Sequence, residues 1–101
     1  MVNVGSAGNQ ARNELLPVGT TSIQAFQPIE RTVYTVMNSS TGGQLITLNL
    51  GFAPAISGAG IQLSPGQAWI DSNGEGYTCF QGVITAISSA PGGQLSIMEK
   101  N

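Results

Sequence analysis

The stretch DSNGEG at 71–76 sets Asp71, Asn73 and Glu75 at alternate positions, with Gly76 at the sixth. An EF-hand loop begins with this oxygen spacing as it wraps a calcium ion. The twelfth position, where such a loop needs a bidentate Glu, is Gly82, and no helical pattern flanks the stretch. A turn centred on Asn73-Gly74 explains the same residues without a metal. That reading is preferred, and Asp71, Asn73 and Glu75 remain weak cation candidates. Asp71 and Glu75 are also the residue types that glycoside hydrolysis pairs, but on one glycine-rich turn both should be solvated rather than facing across a cleft.

The remaining chemistry is sparse. The chain has no histidine, the commonest general base and metal ligand. Cys79, flanked by Tyr77, Thr78 and Phe80, has no nearby base or cation to make it a nucleophile and reads as a buried thiol. Trp69, Tyr34, Phe52, Tyr77 and Phe80 could stack on a sugar, although such sets more often form core and interface. Gly42-Gly43 and Gly92-Gly93 lack the lysine and the strand-to-helix setting of a phosphate loop. The expectation is a protein without catalysis, cofactor or small-molecule substrate.

Composition narrows the partners. Charged residues are 8% of the chain, with three basic and five acidic side chains, against about 25% in an ordinary soluble domain. Three basic residues cannot form the clustered grip that nucleic acid requires. No apolar run reaches the length of a membrane span, and the first sixteen residues do not read as a secretory signal. A single cysteine forms no internal disulfide and fits a reducing cytoplasm. With 41% hydrophobic residues the chain should fold, and its low charge favours association.

The elements expected to position these residues are β-strands. NQARNELL (9–16) is the one helix-friendly stretch, stopped by Pro17, and residues 1–30 read as an extended arm or lead-in with a short strand at 21–26. From Arg31 onward, strands are expected at 32–37, 44–50, 60–63, 67–71, 77–80, 83–88 and 94–99. SPG at 64–66 has the chemistry of a type II turn. Short strands with frequent turns predict an all-β fold: a compact antiparallel β-sandwich or barrel of six to eight strands over 31–101, preceded by the arm.

One phrase occurs twice. VYTVMNSSTGGQLITL (33–48) lies over VITAISSAPGGQLSIM (83–98) at an offset of fifty, with seven of sixteen positions identical. Each copy reads as strand, Ser/Gly turn, strand, so the expectation is two hairpins, one in each sheet. Duplication and convergent turn chemistry both explain the echo.

Asn38, ITLNLG (46–51), FAPA (52–55), GIQLSPG (60–66), Tyr77, QGVITAIS (81–88) and LSIME (95–99) follow one another in an order that resembles a class of small tailed-bacteriophage virion proteins. The resemblance covers about two-thirds of the chain. Lys100-Asn101 replace the aromatic expected at its end, and residues 1–30 have no counterpart in it. It implies a capsid decoration (cement) or head-fibre base protein, assembled in the host cytoplasm into the virion and often trimeric. Its partner would be the major capsid protein or another virion protein. Contacts are then expected from residues 1–28 and from the loops 51–60 and 71–76, with Leu15, Leu16, Phe26, Phe52, Ile56 and Trp69 as interface candidates. Two other readings compete: a tail or fibre module that binds host glycans through Trp69 or Tyr77, and a non-viral β-sandwich subunit that assembles by strand exchange through its arm.

Overall fold

The computed structural model describes residues 11–101. Expectations for residues 1–10 lie outside the described residues. Eight strands occur among the described residues: β1 (Ala11–Val18), β2 (Ile23–Phe26), β3 (Val33–Asn38), β4 (Ile46–Leu50), β5 (Ile61–Leu63), β6 (Ala68–Ser72), β7 (Ile84–Ser88) and β8 (Gly93–Lys100). They form two four-stranded antiparallel sheets, ordered β1-β8-β3-β6 and β2-β7-β4-β5. This strand order is that of a jelly roll, two interlocked Greek keys closed into a sandwich.

The core lies between the sheets. Phe26, Tyr34, Val36, Ile46, Leu48, Ile84, Ala86 and Leu95 are all fully buried there. Burying each large apolar side chain contributes roughly 1.5–3 kcal/mol. Phe26 meets Tyr34 edge-on, with ring centroids 5.5 Å apart. Period-two alternation decides the facing. In β8, Gly93, Leu95 and Ile97 are buried while Gln94 is exposed and Ser96 and Met98 are half-buried.

Three expectations are corrected. Residues 11–18 and 23–26 are not a separate lead-in: β1 pairs with β8 along its full length and β2 pairs with β7. The sandwich therefore begins before Arg31. The helix-friendly ARNELL is a strand because a ladder with β8 and the burial of Val18 outweigh propensity differences of a few tenths of a kcal/mol per residue. Pro17 is tolerated because β1 is an edge strand. Residues 78–80 form no strand and run as irregular chain.

The third correction concerns the repeated phrase. β3 and β4 lie in different sheets, as do β7 and β8, so each copy is an arch between sheets and not a hairpin. Adding four to each strand number, and starting again from one after eight, turns the order β1-β8-β3-β6 into β5-β4-β7-β2, which is the second sheet read from its other edge. The two halves of the jelly roll are thus equivalent in topology, and the echo falls where they meet. There the two arches bond to each other. The Ser39 amide donates to the Gln94 carbonyl at 3.0 Å, and the Ser89 amide to the Leu45 carbonyl at 2.8 Å. The Gln94 amide donates to Ser40 Oγ, the Leu45 amide to Ser89 Oγ, and the Gln44 side chain to the Pro91 carbonyl. One residue of slip separates the halves. Val36 pairs with Ile97, whereas the repeat would match Ala86 to Thr47, and Ala86 instead faces Leu48. Consistently, the left-handed residue is the second glycine in one copy (Gly43) and the first in the other (Gly92).

Candidate interaction surfaces

Four charged residues, Arg12, Glu14, Arg31 and Glu99, are joined in one cluster. Arg31, in the connection between β2 and β3, is 1% exposed. Its guanidinium donates to Glu99 Oε1 at 2.9 Å and to the carbonyls of Phe80 and Gln27 at 2.6 and 2.7 Å. Arg12 donates to Glu99 Oε2 at 2.7 Å and also binds Glu14. Both guanidinium groups lie over the Phe26 ring, at 5.3 and 5.4 Å. This cluster ties both sheets and the 78–82 segment together. Removing one partner of its most buried pair, Arg31–Glu99, costs about 3–5 kcal/mol, while the more exposed Arg12 contributes less. No local pattern signals it, because Arg31 and Arg12 lie 68 and 87 residues from Glu99.

Asp71 and Asn73 are committed to their own loop. Asp71 Oδ1 accepts from the Tyr77 hydroxyl at 2.6 Å and Oδ2 from the Phe80 amide at 3.0 Å. Burial by itself raises the Asp71 pKa, but the Phe80 amide, the Tyr77 and Tyr34 hydroxyls and the Arg31 charge together hold it below the usual carboxylate value. Asn73 Oδ1 accepts from the Cys79 amide at 2.8 Å. Glu75 is exposed, and no cluster of three potential metal-ligating side chains occurs among the described residues. The tight turn is centred on Glu75-Gly76 instead of Asn73-Gly74. Gly74 and Tyr77 pair across it, and Gly76 takes φ +76°. Cys79 is buried against the Arg31 carbonyl, and burial pushes its thiol pKa up.

The interface candidates separate by face. Phe26 is core and is corrected out of the set. Leu16 and Trp69 are half-buried against the core, and the Trp69 indole donates to the Tyr34 hydroxyl at 3.2 Å. Both therefore expose only part of their side chains. Leu15, Phe52 and Ile56 are exposed at 59%, 82% and 67%. Leu15 and Leu16 part because adjacent strand residues point to opposite faces.

Phe52 and Ile56 stand on the loop 51–60, which lies over the outer face of the β2-β7-β4-β5 sheet. Four side chains pin it: Thr85 Oγ1 donates to the Ala53 carbonyl at 2.8 Å, Asn49 Nδ2 to the same carbonyl at 2.9 Å, Thr47 Oγ1 accepts from the Gly58 amide at 3.0 Å, and Ser22 Oγ from the Ala55 amide at 2.8 Å. The loop thereby presents two apolar side chains on a fixed base.

The outer face of the other sheet carries exposed apolar residues beyond the expected candidates. Leu15, Ser96, Met37 and Ala68 form one row across β1, β8, β3 and β6, and Asn13, Met98, Thr35 and Ile70 form the next. Ile70 and Met37 are 65% and 40% exposed. QAWID carries the signal for this face, since inward Trp69 forces Ile70 outward. These residues line a shallow groove. Comparison with protein-family models, curated proteins and solved structures finds no match.

Proposed function

We propose that this chain is a non-enzymatic virion structural protein of a tailed bacteriophage, a capsid decoration (cement) or head-fibre base protein that binds the assembled shell. The observation that carries this reading is the distribution of polarity. Arg12, Arg31, Glu99 and Asp71 are bonded within the fold, while Phe52 and Ile56 stand out from a pinned loop. Such a surface recognises its partner by shape and apolar contact. The partner on this reading is the major capsid protein or another virion protein; the class it resembles is often trimeric, a state this reading does not require. Many copies on a shell turn modest contacts into firm attachment. Jelly rolls serve in viral capsids, and also in lectins and cupins, so the fold is compatible with the particle reading without selecting it. The glycan-binding alternative rests on Tyr77, which is 55% exposed.

The test is co-sedimentation of the purified chain with expanded shells that lack it, over a range of salt. Association with little salt dependence is expected, because so few charges are free to be screened. Phe52→Ser should weaken it about tenfold or more if Phe52 anchors the contact. No association at any salt overturns the reading, and a steep salt dependence replaces the proposed apolar contact with an electrostatic one.

A further inference from the structure

The two sheets are equivalent in topology, yet their outer faces are finished differently. One is polar and covered by the chain's own loop. The other presents Leu15, Met37, Ile70 and Met98, and among the described residues nothing lies over it. We propose that the outer face of the β1-β8-β3-β6 sheet is where two copies of this chain pair, face to face about a two-fold axis. Such pairing does not depend on a virion role.

Three features favour a second copy as the occupant. The first is charge. The two rows Leu15-Ser96-Met37-Ala68 and Asn13-Met98-Thr35-Ile70 contain no ionisable side chain. An identical face can therefore approach over these two rows without like-charge repulsion. The charges at their margins are Glu14, already bound by Arg12, and Lys100, in the adjoining outward row Ala11-Lys100-Val33-Ser72. The second is shape. The face is a shallow groove in which Ala68 and Ser96 are short beside exposed Leu15, Met37 and Ile70. An identical face can therefore set its raised side chains against the short ones at the spacing of about 10 Å that sheets keep inside sandwiches. The third is area. Leu15, Met37 and Ile70 are 59%, 40% and 65% exposed, Asn13 and Ala68 are exposed and Thr35, Ser96 and Met98 half-buried, so two copies bury at most on the order of 1,000 Å², in the range of weak interfaces. Such a patch is self-complementary, as an isologous contact requires. The pairing is accordingly weak and concentration-dependent.

Sedimentation equilibrium of the full chain, from low micromolar to near-millimolar concentration, tests this. A monomer–dimer equilibrium is expected. Met37 lies on a central strand of the face, so Met37→Lys and Met37→Glu should each weaken pairing about a hundredfold through facing like charges. Mixing the two variants should restore dimer by pairing opposite charges. Melting curves like that of the parent chain would show that both variants remain folded, and Ile70→Ser provides a milder second probe at the sheet edge. A strictly monomeric parent, a trimer, or a dimer indifferent to both Met37 and Ile70 overturns the inference. So does a dimer that appears only when residues 1–10 are removed, because the chain itself would then occupy the face. Shell co-sedimentation of parent and Met37→Lys keeps the two proposals apart. Retained binding with lost pairing leaves both standing, and absent binding of the parent with pairing intact leaves only the pairing. Lost binding of the variant with retained pairing assigns the face to the shell and overturns the pairing.

Discussion

On the β2-β7-β4-β5 sheet, Thr47, Asn49 and Thr85 turn outward and are roofed by residues 51–60; on the β1-β8-β3-β6 sheet, Leu15, Met37, Ile70 and Met98 turn outward without a roof among the described residues. The strand framework is the same on both sides, so the difference lies in side-chain chemistry. A buried hydroxyl must find a partner in a fixed direction, and each one satisfied by the loop fixes the loop. An apolar side chain has no such direction and is satisfied by any dry neighbour. One half of the repeat thus closes its face within the chain, and the other keeps a face suited to association.

The largest effect is expected where the roof returns to the sheet. Gly60 has φ +135°, and a Cβ there would collide with the Leu48 carbonyl oxygen. Gly60→Ala should cost about 2–4 kcal/mol from backbone strain and overlap combined, read as a lower midpoint in urea. Gly74→Ala, on the loop beyond β6, is the control. Gly74 is not left-handed, and open space surrounds its missing Cβ, so little change is expected.

The next effect separates hydroxyl from methyl. Thr47→Val and Thr85→Val keep shape but leave the Gly58 amide or the Ala53 carbonyl one partner short. Each should cost about 1–2 kcal/mol. Hydrogen exchange should rise across 53–58 while the β8 amides keep their protection. Unchanged exchange would mean that the loop is held by something other than these bonds.

A titratable group holds the other pinned loop, which makes pH a way to tell the two apart. The folded Asp71 pKa lies below its unfolded value, so the stabilisation is present above about pH 4 and is lost as pH falls through the folded value. Acid should therefore loosen 73–80 and spare 51–60, whose pins do not ionise. Asp71→Asn retains one acceptor oxygen where the carboxylate has two. It should cost about 1–2 kcal/mol at neutral pH and remove this part of the acid sensitivity. Equal loosening of both loops in acid would contradict the assignment.

The strands after Arg31 are legible because their signals are local. Ser64-Pro65-Gly66-Gln67 closes as expected, with Gly66 at φ +88° and the Gln67 amide bonded to the Ser64 carbonyl. The alternation of β8 likewise places Leu95 and Ile97 inward. What stays hidden depends on distant partners. β1 carries helix-friendly residues and is a strand through β8, more than seventy residues away. The arches look like hairpins in sequence because a Ser/Gly turn has the same composition whether the chain returns beside itself or crosses to the opposite sheet. For the candidate site, DSNGEG shows its oxygens but not their donors, the Tyr77 hydroxyl and the Cys79 and Phe80 amides. Exposure of Phe52 and Ile56 is legible from their glycine-rich loop. The burial of Phe26 is not, since it follows from two arginines packed above the ring and Tyr34 at its side.

The smallest expected effect on folding belongs to the uncovered face. Ile70 is 65% exposed on edge strand β6, and its side chain contributes little to the monomer's core. Ile70→Ser should shift stability by no more than about 0.5 kcal/mol, less than the threonine substitutions that remove a bond pinning the loop. Strand propensity falls slightly with serine, which sets the sign as weakly destabilising. The informative measurement is the melting midpoint at two protein concentrations. If the two faces differ in this way, the variant matches the parent when dilute and falls below it when concentrated, because only the concentrated parent gains from apolar contact between copies. A large loss in the dilute sample would instead place Ile70 in the fold's own packing, and the contrast between the faces would fail at that residue.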